Sequence, residues 1–144
     1  MACSTRFPVA VHILTVLAAK RGECVSSELI AGSVATNRVV VQRILSLLRK
    51  ARMVSTQAGV HGGAVLAVAP RRLKLLDIYH AVEGGRIFRM HRAHPKCAIA
   101  CDVKKNLAAI LNQAEAAMEK ELAKKTLADV TEPAIRAYAR QQKK

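Results

Sequence analysis

His91, His94, Cys97 and Cys101 fall at spacings of three, three and four in the second half of the chain. Imidazole and thiolate groups so spaced suit Zn, Cu or an iron–sulfur centre, and His12 is a further candidate ligand. The same thiols can also act without a metal. Cys97 and Cys101 lie near Lys96 and Lys104 and near an expected helix start, where positive charge lowers a thiol pKa and favours the reactive thiolate. Oxidation would then give a sulfenic acid, an internal disulfide or a disulfide between two chains. Three intervening residues make one helical turn, which is poor disulfide geometry in a regular helix and workable in a loop. A third reading leaves both cysteines as small apolar fillers. No cofactor follows from these residues alone; an iron–sulfur cluster and Zn both stay open. Cys3 and Cys24 stand apart and read as structural, and four cysteines are too few for a secreted disulfide scaffold of this size.

The partner of these residues is suggested by charge. Lys and Arg number 24 against 10 Asp and Glu, a net +14 over 144 residues. Residues 1–74 hold 11 basic and only 2 acidic side chains. Such a half points to a polyanion, nucleic acid first and an acidic membrane second. Aromatics are 3% and Trp is absent, which argues against a base-stacking platform. No apolar run reaches the ~18–20 residues of a membrane span. Val9–Ala19 is shorter, is interrupted by His12 and has no clear cleavage site after it, so it reads as a core helix of a cytoplasmic protein. There is no nucleophile elbow, no phosphate-binding loop, no pair of carboxylates flanking a cleft and no Cys-x-x-Cys beside a βαβ unit. Asp77, His80 and Glu83 share one short helix, but nothing gives them a catalytic role. The chain reads as a binding protein and not as an enzyme.

The elements that must carry these residues are mostly helical. Arg6–Arg21 has apolar residues at helical spacing and ends on Lys20, Arg21 and Gly22. Ser26 or Ser27 can cap a short helix over Glu28–Val34. After Ala35-Thr36-Asn37, Thr36 or Asn37 can cap a third helix over Arg38–Ala51, with Val40, Ile44, Leu47, Leu48 and Ala51 as its buried stripe. Two short helices, a tight turn and a basic third helix make a helix-turn-helix pattern. Met53–Thr56 and Ala64–Val68 read as two strands joined by the glycine-rich Gln57–Gly63, a hairpin placed as a wing. Gly59, Gly62 and Gly63 would let that turn approach a phosphate backbone closely.

Beyond Pro70-Arg71-Arg72, a short helix is expected over Leu75–Glu83, then an irregular stretch over 86–101. Asp102 can cap a helix over Val103–Thr126 that would be roughly 36 Å long. Its stripe of Val103, Leu107, Ile110, Leu111, Ala114, Met118 and Leu122 is longer than one small domain can cover, so it is expected to meet a second copy. The tail beyond Pro133 is expected to fray. The fold class is therefore mainly α with a small β-hairpin wing. The expected division is 1–74 for the winged helix-turn-helix, 75–101 for the short helix and cysteine-bearing loop, 102–130 for the long dimerisation helix and 131–144 for the tail.

Ile44–Val54 (ILSLLRKARMV), Gly59–Ala67 (GVHGGAVLA), Leu75–Gly84 (LLDIYHAVEG) and a cysteine-bearing loop before a long helix occur in that order. In these stretches the chain resembles the bacterial IscR/NsrR/CymR-like winged-helix regulators, the Rrf family. HPKCAIACDV and Ala123–Val130 (AKKTLADV) are most similar to a subgroup with a single main loop cysteine. The resemblance implies a homodimer paired through the long helices, two wings reading a pseudo-palindromic operator in double-stranded DNA, and a sensor loop at Cys97 and Cys101. It also implies a transcriptional regulator, read as a repressor, whose loop answers to thiol oxidation, a metal, a cluster or a protein effector. The family's base-contacting positions align with Val39, Gln42 and Arg43. Gln suits adenine, Arg suits guanine and Val can meet a thymine methyl. Arg38, Arg49 and Lys50 are placed for phosphates. Some members carry an Arg where this chain has Ala58, leaving His61, Gly62 and Gly63 as the wing's contact residues. Cluster-binding members usually show three loop cysteines with five residues between neighbours; this chain has two, with three between.

Overall fold

The computed structural model describes residues 4–20, 22–92 and 94–142. Cys3 and Arg21 lie outside the described residues. The elements are α1 (Arg6–Ala19), α2 (Ser27–Val34), α3 (Arg38–Lys50), β1 (Val54–Gln57), β2 (Gly63–Leu66), a single 3-10 turn (Pro70–Arg72), α4 (Leu75–Val82), α5 (Ala98–Ala123) and α6 (Leu127–Gln141). They form a mostly helical fold with one two-stranded antiparallel hairpin, the winged helix-turn-helix expected from the sequence.

Local capping sets the helix-turn-helix. The Ser26 hydroxyl accepts the Leu29 N–H at 3.3 Å and starts α2. The Asn37 side-chain carbonyl accepts the Val39 N–H at 2.7 Å and starts α3. Between them Ala35 takes a left-handed conformation with φ 52°, which turns the chain. At the N-terminus of α1, the Glu83 carboxylate accepts the Phe7 N–H at 3.2 Å and the Ser4 hydroxyl at 2.7 Å. A residue remote in sequence thus satisfies an unpaired helix donor and complements the helix dipole.

α1 runs through the middle of the core, burying Ala10, Ile13, Leu14 and Leu17 and touching α2, α3, α4, α6 and β2. α3 buries Val41, Ile44, Leu45 and Leu48. Its inner face is therefore rotated from the expected stripe: Val40 is exposed and Leu47 half-buried, while Val41 and Leu45 point inward. Three consecutive valines, Val39–Val41, make both stripes apolar, so only packing against the neighbouring helices selects the face. At the exit of α3, Arg52 is left-handed (φ 59°) while the Met53 N–H reaches the Leu48 carbonyl at 3.0 Å. Glycine is favoured in this position because a Cβ costs about 1–2 kcal/mol there. Arg52→Gly is accordingly expected to raise the thermal midpoint by about 2–4 °C; an unchanged or lower midpoint in calorimetry would refute the strain.

The hairpin pairs Val54 with Leu66 and Gln57 with Gly63. Val25 adds a short third rung, exchanging hydrogen bonds of 3.0 and 2.9 Å with Ala64. The close packing here gives two wing glycines a structural role as well. A Cβ on Gly63 would strike the Val25 carbonyl and one on Gly62 would strike the Gln57 carbonyl, so both serve internal packing. Gly59 alone takes a conformation that favours glycine, with φ 106°.

The second half departs most from expectation. The long helix begins five residues early, at Ala98, and stops at Ala123 rather than running on to Thr126 or 130. The expected frayed tail is instead α6, with Pro133 inside it. α6 holds because Leu127, Ala128 and Thr131 are buried, α6 packs on α1, and Arg71 pairs with Glu132 at 3.0 Å. Its start is a capping box: the Asp129 carboxylate accepts the Thr126 N–H at 2.7 Å and its hydroxyl at 3.1 Å. Those hydrogen bonds hold the Asp129 carboxyl below its usual range. The chain returning from α5 is stitched to the start of α4, with Leu75 N–H to Lys125 O at 3.0 Å and Leu127 N–H to Leu73 O at 2.7 Å. None of the described helices is long and apolar enough to cross a membrane.

Candidate nucleic-acid interface

α3, the first turn of α2 and the wing enclose an open groove of about 470 Å³. Ser27, Glu28, Arg38, Gln42, Arg49 and Gln57 line it, together with the wing glycines Gly59, Gly62 and Gly63. Helical spacing sorts the predicted contact residues into two rows. Arg38, Gln42 and Arg49 face the wing; Val39, Arg43 and Lys50 form the adjacent exposed row outside the groove. Val39 is 53% exposed although apolar. The two rows together present guanidinium, ammonium, amide and methyl groups along one helix face, the chemistry a major-groove reader needs.

The wing contributes less charge than position. His61 is exposed, and Val60 beside it is 98% exposed at the tip. Sequence reasoning passed over Val60; its only signal was a branched apolar residue between Gly59 and His61. The Cys24 thiol donates to the Gln57 side-chain oxygen at 3.1 Å, tying the segment before α2 to the wing strand.

Arg38 is not a free cation. Its Nη1 lies 3.1 Å from Glu28 Oε1, and its Nε donates to the Ser27 hydroxyl at 3.2 Å. Both partners sit on the first turn of α2, which the sequence alone does not place against Arg38.

The two second-half cysteines sit at the start of α5. Cys97 caps α5 and Cys101 is one turn inside it, its N–H donating to the Cys97 carbonyl at 3.1 Å. Cys101 therefore belongs to the helix and not to the loop expected to carry it. Both thiols are exposed. Residues four apart on a helix hold their Cβ atoms about 5–6 Å apart, whereas a disulfide needs about 3.5–4.5 Å. An internal disulfide would have to unwind the first turn of α5.

The expected metal set is not assembled. His94 is engaged in the turn before α5, its Nδ1 accepting the Lys96 N–H at 3.3 Å and its carbonyl the Cys97 N–H at 3.1 Å. His91 is exposed. His12 lies across α1 against Ser33 of α2, at 3.4 Å. Among the described residues, no group of three or more His, Cys, Asp or Glu is arranged to hold a metal ion. The segment before α5 is irregular, so sequence spacing does not by itself bring these four side chains together.

His80 and Glu83 serve structural contacts, Glu83 at the start of α1 and His80 at a joint with α5. His80 Nε2 lies 2.9 Å from Glu119 Oε1, and the Glu115 carboxylate accepts the Phe88 N–H at 3.1 Å, fastening α4 and the following loop to α5. Burial pushes the half-buried Tyr79 hydroxyl up, with Glu83, Glu115 and Glu119 adding to it. Tyr79 also stacks edge-on against Phe7, with centroids 5.6 Å apart.

This arrangement has relatives. A family model named Rrf2 and described as iron-dependent transcriptional regulators matches residues 3–133. A Bacillus subtilis (strain 168) protein named as an HTH-type transcriptional regulator, YwnA, is 41% identical over 129 residues, covering 88% of this chain and 95% of that protein. The solved structure of T. potens IscR superposes with a TM-score of 0.70 at 26% identity, covering 95% of this chain and 90% of that one. That of CymR, described as the global cysteine regulator of B. subtilis, superposes with a TM-score of 0.63 at 25% identity, covering 92% and 97%. With a basic recognition helix, a wing and a long second-half helix in the family's order, the chain belongs to the Rrf2 family of DNA-binding transcriptional regulators and is not an enzyme.

Proposed function

We propose that the protein is a homodimeric repressor that reads a pseudo-palindromic operator through the α3–wing face and releases it when Cys97 is oxidised. The carrying observation is on α5. That helix has no buried residue over 26 residues and leaves Ile99, Val103, Leu107 and Ile110 exposed along one side, while both thiols stand on its first turn. A second copy paired along this stripe would place two α3 helices on one duplex. A change at the α5 start would then alter the spacing of the two half-site readers, which is a coupling between two sites.

Within the α3–wing face, Gln42 and Arg43 are assigned to bases and Val39 to a thymine methyl. Arg49 and Lys50 are assigned to phosphates, with His61 at the wing. The family's iron dependence is not carried over. The described residues of one chain offer two thiols a helical turn apart and no third ligand beside them, which does not fit a cluster or a zinc site. No step of the proposed switch passes through a metal.

Fluorescence anisotropy at one fixed salt concentration tests the reading, with the duplex upstream of the protein's own gene. Reduced, metal-free protein is expected to bind it at least about tenfold more tightly than mildly oxidised protein, the range of ordinary allosteric coupling. Cys97→Ser is expected to lose that response. Equal binding by reduced and oxidised protein would overturn the switch.

A further inference from the structure

We propose that Glu28 is a positioning residue for DNA recognition: by holding Arg38 on α2 it withdraws one cation from the phosphate contacts of the α3–wing face and so holds down binding to unrelated DNA. The inference rests on reading that face as the DNA surface.

The geometry is specific to this pair. Arg38 is the first residue of α3, at the end that a major-groove reader presents to DNA. Its guanidinium folds back over the helix-turn-helix turn, where Glu28 takes Nη1 at 3.1 Å and Ser27 takes Nε at 3.2 Å. Two of the five guanidinium N–H donors are thereby engaged, which leaves fewer for a bidentate grip on a phosphate. Both charged groups remain solvent-accessible, at 56% for Arg38 and 76% for Glu28, so the pair is weak and a phosphate can compete for it.

The charge around the pair makes it conspicuous. Glu28 is one of two acids in residues 1–74 and the only one lining the groove, opposite Arg38 and Arg49. Non-specific binding is supplied almost wholly by phosphate contacts, whereas base contacts add to it on a matched site. Neutralising Glu28 frees Arg38 as one more cation, and the gain appears on any sequence.

The test is a set of anisotropy titrations with the full chain on a labelled duplex of arbitrary sequence, repeated across a salt series. Glu28→Gln is expected to bind about three- to fivefold more tightly, the scale of an exposed charge pair. Its logarithmic salt slope is expected to steepen by about 0.9, the increment of one phosphate contact. The decisive comparison repeats Glu28→Gln in an Arg38→Ala background, where both gains are expected to vanish. Gains that survive without Arg38 would show Glu28 acting as a bare repulsive charge and would overturn the positioning role, as would the absence of any gain with Arg38 present. Arg49→Ala serves as the control on the surface itself. If it weakens binding while Glu28→Gln has no effect, only the Glu28 inference falls; if it too leaves binding unchanged, the α3–wing reading falls with it.

Discussion

Ile110→Asp is expected to leave the protein folded, monomeric and at least about 100-fold weaker on operator DNA, the usual worth of joining two binding modules. Ile110 is 62% exposed, and its neighbours on the stripe, Ile99, Val103 and Leu107, are 76, 48 and 40% exposed. A soluble chain rarely leaves such a continuous apolar row in water. Burying large aliphatic side chains gives about 1.5–3 kcal/mol each, counted from full exposure. Four from each copy, already partly covered, still suffice to hold a dimer. An aspartate placed in that row would be desolvated without a partner and would cost several times what one side chain contributes. Since Ile110 lies on a helix with no buried residue, the substitution should not disturb the core. Mass measurement by light scattering should fall to the 15.6 kDa of one chain, with unchanged helicity by circular dichroism. A variant that stays dimeric and binds DNA normally would refute the α5 pairing.

The parts of this fold that sequence made legible are those fixed by local chemistry. Ser26 and Asn37 cap their helices through bonds to residues two or three positions ahead, so the helix-turn-helix was readable from spacing. Wing placement was readable because glycines and a strand-like pattern follow α3 directly. The inner face of α3 was not, because Val39–Val41 satisfy two stripes and only α1 and its neighbours choose between them. The tether on Arg38 was hidden for a related reason. Glu28 stands ten residues away across a turn whose geometry depends on the left-handed Ala35. At the sensor end, ligand-type residues at short spacings suggested a metal, yet whether they converge depends on the backbone before α5. For α6 the signal was present and outweighed. Thr126 and Asp129 form a capping box, while Pro133, about two turns further on, suggested a stop. A proline inside a helix removes one hydrogen bond and can be offset by a buried first turn.

That buried first turn carries the second large expectation. Leu127→Ala should lower stability by about 2–5 kcal/mol, the cost of removing a fully buried leucine and leaving a cavity. Leu127 is wholly inaccessible although it opens a helix near the chain's end, and its N–H is bonded to the Leu73 carbonyl at 2.7 Å. The side chain therefore belongs to the same core as Ile13 of α1 and Ile78 of α4. At a fixed protomer concentration, needed because pairing shifts apparent stability, the thermal midpoint should drop by about 10 °C or more. Tyr138→Ala, on the exposed side of the same helix, should change stability by no more than about 0.5 kcal/mol. If instead both variants melt like the parent, α6 is an appendage and the core closes without it. The contrast matters for function because Leu127 lies where the chain leaving α5 rejoins the DNA-binding layer. Backbone hydrogen bonds from Leu75 to Lys125 and from Leu127 to Leu73 make that junction, beside the His80–Glu119 bond, a second connection from the proposed dimer helix to α4. A cavity there should loosen the wing's support as well as the tail, so Leu127→Ala should weaken operator binding at temperatures well below its own melting point.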